Sequence, residues 1–186
     1  MDILASIASA RLDLISLPPS FLEVSLAGDS EAAAQWLGMP VPADWLEQRW
    51  LMQYRLDQLR NDPSVQPWLL RAIVLREERV MVGHAGFHAP PGDPYLQEYA
   101  PGGSGVEIGY TVYPLSRRRG YATEACAALM DWATQQQPNV RFVASIRPDN
   151  EPSRRIAQHF GFQKVGSHVD ERDGVEDVFL SPETLP

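Results

Sequence analysis

The sequence predicts a mixed α/β (α+β) domain, and three observations carry that reading. Apolar residues alternate with a period of two in several short segments and recur at helical spacing in others. Clusters of Gly, Pro, Asn and Asp punctuate the chain often enough to leave about seven strands. From Gly105 to Ile146 a strand, a helix and another strand follow in order, the pattern of a crossover connection. A length of 186 residues suits one domain spanning 1–186.

Arg11 to Leu17 (RLDLISL) alternates apolar and polar and predicts the opening strand. Pro18 and Pro19 then begin a helix at its first turn, where a missing N–H costs least. Asp29 and Ser30 offer caps for a second helix, Glu31 to Leu37. Asp44 to Arg60 carries an apolar stripe at helical spacing, and Asp62-Pro63 ends it. Trp68 to Leu75 and Val80 to His88 read as a hairpin turning at Glu77-Glu78. Ala89 to Ser104 holds four prolines and three glycines; it is expected to be irregular, and a loop this long is often functional. Gly105 to Tyr113 is a strand, Pro114 to Arg119 a turn, and Tyr121 to Gln136 a helix. Val140 to Ile146 is a strand and Glu151 to Phe160 a helix stopped by Gly161. Phe162 to Val169 and Val175 to Leu180 form a closing hairpin around Asp173-Gly174.

Composition excludes several classes of function. The net charge of −8 disfavours nucleic-acid binding, which needs a basic face. No apolar stretch is long enough for a membrane span. Met1 to Leu17 lacks a basic leader followed by an apolar run, and Cys126 is the single cysteine. Both point to a cytoplasmic home. Cys126 and the four histidines show no metal-site spacing, so no metal is expected. His84 and His88 lie in an apolar strand and read as structural. The arginines are bunched, however, at Arg117, Arg118 and Arg119 and again from Arg141 to Arg155. A local basic cluster on an acidic chain fits a small polyanion better than a duplex.

The chemistry is concentrated between Val106 and Trp132. A strand, an arginine-rich turn and a glycine at a helix start make an anion site. First-turn N–H groups point outward and the helix dipole adds partial positive charge. Gly120 lets the backbone come close, and Ala122 keeps the next inward position small. A diphosphate suits it. The Walker sequence and the Gly-x-Gly-x-x-Gly fingerprint are both absent.

The string Arg117-x-x-Gly120-x-Ala122, within EIGYTVYPLSRRRGYATEA, resembles the signature of the GNAT acyltransferase superfamily. It is similar in particular to the branch holding the ribosomal-protein N-terminal acetyltransferases. Asn150-Glu-Pro-Ser153, followed by Phe160-Gly161-Phe162, resembles that family's second motif. The resemblance covers about Val106 to Val165. It implies a mostly antiparallel sheet with one splayed parallel pair, here Glu107–Tyr113 and Arg141–Ile146, flanked by helices. It also implies acetyl-CoA as co-substrate. Backbone groups of Tyr110, Thr111 and Val112 would hold the pantetheine arm, and those of Arg118, Arg119, Gly120, Tyr121, Ala122 and Thr123 the diphosphate, with Arg117 beside them. Asn150 and Ser153, or Arg154, would reach the cofactor, and Asn150 also fits as a helix N-cap.

The implied reaction is acetyl transfer to an amine by direct attack on the thioester. An ammonium must first lose a proton, and Glu107, a charged residue in an apolar strand, is the expected base. Glu124, in a first helical turn, reads as structural. The family's acid tyrosine, seven residues past the motif asparagine, is replaced by Ala157, which leaves the acid open among Tyr110, Tyr113, Tyr121 and water. The acidic surplus favours a cationic acceptor, a small-molecule or peptide amine. Trp36, Trp45, Trp50 and Tyr54 line its cleft or pack a core. The family leaves monomer and homodimer open. The rival reading is an acyl-CoA-binding regulatory module without turnover.

Overall fold

In a computed structural model of the chain, residues 5–102 and 104–183 are described. Residues 1–4, the start of the stretch without a leader pattern, and Gly103, in the expected loop, lie outside them. The opening alternation becomes a hairpin of β1 (Ile7–Ala8) and β2 (Leu12–Ser16). β1 is too short to show in the sequence, and it raises the strand count among the described residues to eight. The helices α1 (Pro19–Leu26) and α2 (Ser30–Leu37) follow, and Asp29 caps α2 by accepting from the Ala32 N–H at 2.9 Å. The long helix expected over Asp44 to Arg60 is two, α3 (Ala43–Leu46) and α4 (Arg49–Asn61). Asp62 then caps a 3₁₀ turn, Pro63–Trp68, so the strand expected from Trp68 begins later, as β3 (Arg71–Leu75). β4 (Val80–Phe87) returns beside it.

The segment expected to be wholly irregular holds a 3₁₀ turn, Pro94–Gln97, capped by Asp93. Then come β5 (Gly105–Val112), α5 (Tyr121–Gln136), β6 (Arg141–Ile146), α6 (Glu151–His159), β7 (Gln163–Asp170) and β8 (Gly174–Leu180). The strand order is β1-β2-β3-β4-β5-β6-β8-β7. β5 and β6 are parallel; the other pairings described are antiparallel. Their ladder joins Gly105 to Arg141, Val106 to Phe142 and Glu107 to Val143, and β5 continues past it to Val112. Among the described residues no helix is long and apolar enough to cross a membrane.

The chain divides into two units, Met1–Gly86 with Tyr110–Leu129, and Phe87–Gly109 with Met130–Pro186. In the first, Leu17, Phe21, Leu22, Leu37, Met52 and Leu56 form a core against Ala72 and Val74. Trp45 sits in it with no exposure, its indole N–H donating to Ser25 Oγ at 3.0 Å. Arg71 is also fully buried. Its guanidinium donates to the carbonyls of Ala5, Leu14 and Pro67, and burial pushes its pKa down to about 10. In the second unit Leu96 and Ala100 pack on Val143 and Val178, and Phe87 stacks on Phe142. The Asp177 carboxylate ties Arg154 and Lys164.

Candidate active site

The arginine turn belongs to the first unit. Tyr113 precedes a single 3₁₀ turn, Pro114–Ser116, and Arg117 is extended. Arg118 has φ 63° and Gly120 φ 81°, both left-handed, on either side of Arg119. A non-glycine residue at positive φ is uncommon, and alternation of this kind turns successive N–H groups toward one point, an anion-binding concavity. The first bond of α5 runs from the Glu124 N–H to the Gly120 carbonyl at 3.0 Å. The N–H groups of Tyr121, Ala122 and Thr123 therefore have no carbonyl one turn behind them in the helix.

The turn is pinned from the side. Glu124 accepts from Ser9 Oγ, the Arg11 N–H and Arg11 Nε, each at 2.7 Å. Arg11 also lies over the Tyr121 ring, 4.7 Å from its centre. Burial raises the Glu124 carboxyl, but Ser9 and Arg11 outweigh it and hold the pKa below the ordinary value. Glu124 is thus engaged in fixing the helix start. Arg117 is turned back onto its own strand, Nε donating to the Val112 carbonyl at 2.9 Å, while Arg118 and Arg119 are exposed.

Glu107 stands in the second unit. It is 8% exposed, and its Oε2 lies 3.2 Å from Nδ1 of His88. Burial pushes its carboxyl up; the hydrogen bond and charge of His88, with Ser145 and the charge of His168, outweigh that and leave the pKa lowered. Ser145 Oγ is buried and faces both Glu107 and Tyr95, close enough to lower both without completing a hydrogen bond of good geometry to either. The Tyr95 hydroxyl lies 3.0 and 3.1 Å from the ring nitrogens of His168, which in turn is 3.6 Å from Glu176. Burial, then the charges of Asp173 and Glu107, raise the Glu176 carboxyl. Four of these residues come from strands in register: Glu107 opposite Val143, Ser145 opposite Val178, His168 opposite Glu176. Paired positions and those two apart share a face, so Glu107, Ser145, Glu176 and His168 point the same way.

Other expected residues take more local parts. Asn150 caps α6, its Oδ1 accepting from the Ser153 N–H at 3.3 Å. Arg154 is held by Asp177 and stacks on Phe179. Ala157 is buried. Cys126 is buried and desolvation pushes its thiol pKa up. Trp45 is core, whereas Trp36, Trp50 and Tyr54 are exposed, the last two stacked at 5.1 Å. His84 is buried against Tyr113 and Trp45. His88, expected to be structural, stands beside Glu107. Tyr95, Ser145 and His168 were not singled out, and none carries a motif that would flag it. Among the described residues no group of three or more His, Cys, Asp or Glu side chains is arranged to hold a metal.

Residues 16–163 match a family model described as an acetyltransferase (GNAT) domain. Two proteins of Bacillus subtilis strain 168, both described as uncharacterized N-acetyltransferases, are similar in sequence. YnaD is 29% identical over 94 residues, 50% of this chain and 49% of YnaD, so the match spans about half that relative's length. YjdG is 25% identical over 157 residues, 82% of this chain and 84% of YjdG. A solved structure of a ribosomal-protein-S5-alanine acetyltransferase from Vibrio fischeri superposes with a TM-score of 0.63 at 15% identity, covering 96% of this chain and 97% of that one. Identity that low speaks for a shared fold and nothing finer.

Proposed function

Since the chain belongs to the GNAT acetyltransferase family, we propose that it is an N-acetyltransferase, moving the acetyl group of acetyl-CoA to a primary amine by direct attack. The observation that carries this is the paired left-handed conformation of Arg118 and Gly120 at the open first turn of α5. Those amides, with the charge of Arg118 and Arg119, suit the pyrophosphate of coenzyme A. Tyr110, Thr111 and Val112 extend β5 past its ladder with β6, which suits backbone pairing to the pantetheine arm. Glu107 is the carboxylate on which deprotonation of the amine depends.

In the reaction the amine nitrogen bonds to the thioester carbonyl carbon, the oxyanion is stabilised by a backbone N–H, and the C–S bond breaks to release the thiolate of coenzyme A. The net charge of −8 favours a cationic acceptor. Amines at the N-terminus of a protein, polyamines, amino-acid derivatives and amine-bearing antibiotics all meet that chemistry. A cytoplasmic monomer or homodimer, acting as one domain, completes the reading.

A second reading, an acyl-CoA-binding module without turnover, is favoured by buried Ala157 at the position where the resemblance implies an acid tyrosine. One experiment separates the two. Acetyl-CoA is titrated calorimetrically, and release of free thiol is followed with peptides beginning in serine or alanine, spermidine and an aminoglycoside. Binding with thiol release on at least one amine is expected. Binding without release on any selects the module, and no binding refutes both.

A further inference from the structure

We propose that the chain forms a homodimer in which β7 pairs antiparallel with β7 of a second copy, about a two-fold axis at Ser167. The pairing is independent of the acetyltransferase reading. The first observation is the place of β7 in the sheet. It ends the strand order, so among the described strands β8 pairs with one of its edges and none with the other. A bare edge offers a row of N–H and C=O groups to another strand, and soluble proteins usually blunt it with proline, a covering loop or a very short strand. β7 runs for eight residues and holds no proline. Val165 on it is 46% exposed and Val169 74%, with Val175 on β8 at 55%. The β8 register passes over Val165, a local bulge, and then runs unbroken from Gly166 to Asp170.

The second observation is that the strand is complementary to itself. Antiparallel pairing about Ser167 sets Val165 against the partner's Val169, Lys164 against the partner's Asp170 and Gln163 against the partner's Glu171. Gly166 meets the partner's His168, and Ser167 meets the partner's Ser167. Symmetry repeats every pair, and no like charges face each other. Apolar pairs and opposite charges directly across a ladder stabilise it, whereas like charges there oppose it. Neighbouring symmetric registers lose this match. An axis at Gly166 sets Lys164 against the partner's His168 and Val165 against the partner's Ser167. An axis at His168 sets Lys164 against the partner's Arg172 and Val165 against the partner's Glu171.

The charged groups have capacity for these partners. The Lys164 side chain is 52% exposed and ties Asp177 in its own chain; an ammonium has three donors, so that pair leaves room for the partner's Asp170. Oδ1 of Asp170 accepts from the N–H groups of Arg172 and Asp173 at 2.7 and 2.8 Å, which holds the carboxylate at the end of the strand. Val169 and Val175 are opposite each other on β7 and β8 and share a face. Val175, Val169 and the partner's Val165 therefore make one apolar row across three strands, and the axis repeats it, as an isologous interface requires. Gly166 and His168 are two apart and share the other face. There the partner's His168 comes beside Gly166, where an added Cβ would lie 2.8 Å from Tyr99 Cε1.

The test combines sedimentation of the full chain over a concentration series with cysteine cross-linking. The wild type is expected to sediment as a dimer. Val169→Lys, at an exposed position beside Lys164 of the facing strand, should weaken dimerisation at least about tenfold. Adding Val165→Glu to it sets opposite charges across the axis and should restore most of the affinity. Ser167→Cys reads the register. Facing Cα atoms in an antiparallel ladder lie about 4.5–5.5 Å apart, within reach of a disulfide, so mild oxidation should link two copies through position 167. Val165→Cys and Val169→Cys should each stay unlinked alone and link when mixed. Cys126 is buried and does not compete. A wild type that is monomeric throughout the series overturns the proposal. So does a dimer that Val169→Lys leaves intact, or one that Ser167→Cys does not cross-link.

Discussion

Replacing Gly83 with alanine tests whether β4 holds β5 in the position proposed to receive pantetheine. An added Cβ would sit 2.1 Å from the Thr111 carbonyl oxygen and 3.1 Å from both Thr111 C and Val112 Cα. All three are backbone atoms, so no side chain can swing aside. Real Cβ contacts hardly ever fall below 3.0 Å, so the oxygen must retreat by 3.0 − 2.1 = 0.9 Å. Beside it the Tyr113 N–H donates to the Val82 carbonyl at 2.9 Å, a bond that stretches with the strand. Overpacking costs about 1–3 kcal/mol, and a weakened hydrogen bond adds about 1 kcal/mol. At roughly 2–4 °C per kcal/mol for a chain of this size, Tm should fall by about 4–16 °C. Displacing Thr111 and Val112 should also weaken acetyl-CoA binding by about tenfold or more, which is about 1.4 kcal/mol. Thermal unfolding and calorimetry read both. Gly28→Ala is the control: its φ is 76° and nothing lies within 4 Å of the added Cβ, so it carries conformational strain alone, about 1–2 kcal/mol. Should Gly83→Ala melt and bind like Gly28→Ala, the close approach of the two strands is not a constraint and the reasoning fails.

Two further substitutions address the arginine turn and pH. Gly120→Val places a β-branched residue at φ 81°, with only Arg11 Nη2, at 3.4 Å, near the new Cβ; affinity for coenzyme A should drop at least tenfold while Tm falls by only a few degrees, and unchanged affinity by calorimetry would count against the turn. Burial, then the charge of Arg55, pushes the His84 pKa from 6.5 down to about 4, so below pH 6.5 the unfolded chain takes up a proton that the folded chain refuses. Stability should therefore decline as pH falls from 6.5 to 4, by on the order of 3 kcal/mol from this group, and level off below. The depressed carboxyls of Glu107, Glu124 and Asp177 act only below the ordinary carboxylate range, and raised Glu176 works in the opposite sense. Urea unfolding at several pH values should show this decline, and His84→Gln should flatten it; an unflattened profile assigns the slope elsewhere.

The fold was legible wherever local signals agreed with the tertiary outcome. Helix α5 occupies Tyr121–Gln136 as expected, because Gly120 and Pro138 bound an uninterrupted helical stripe. The expected helix over Asp44 to Arg60 is interrupted at Gln48, where ψ is 37° and the backbone leaves the helix, with no proline or glycine there to mark the break. Trp45, at zero exposure and bonded to Ser25, anchors α3 in the core, a contact that the spacing alone does not announce. Prolines misled in the other direction. Pro94, in a segment dense with breakers, starts a 3₁₀ turn whose Leu96 is buried on Val143 and Val178. A breaker marks where regular structure cannot continue, and it is silent on whether the segment has an apolar surface to fold against.

The same division between local and distant information runs through the candidate site. Everything at the arginine turn lies within a few residues, from Arg117 to Glu124, and the requirement for glycine at a positive φ is written at Gly120 itself. Its sideways support by Arg11 spans 113 residues and had no local mark. The Glu107 group is assembled almost wholly by register. A one-residue slip of β6 would turn Ser145 to the other face, and a slip of β8 would take Glu176 with it. Nothing in the local sequence sets either pairing, because the partners arrive through a crossover and a hairpin whose lengths leave the register free. His88 was hidden for a further reason. Its neighbours Ala85, Gly86 and Phe87 are apolar or small, so its strand reads as core. Only the backbone bond to Glu107 and the bare surface of Gly109 show that the strand ends there with an imidazole turned toward a carboxylate. A glycine two residues after a buried acid, facing the residue just past the end of β4, is a signal that sequence alone cannot orient.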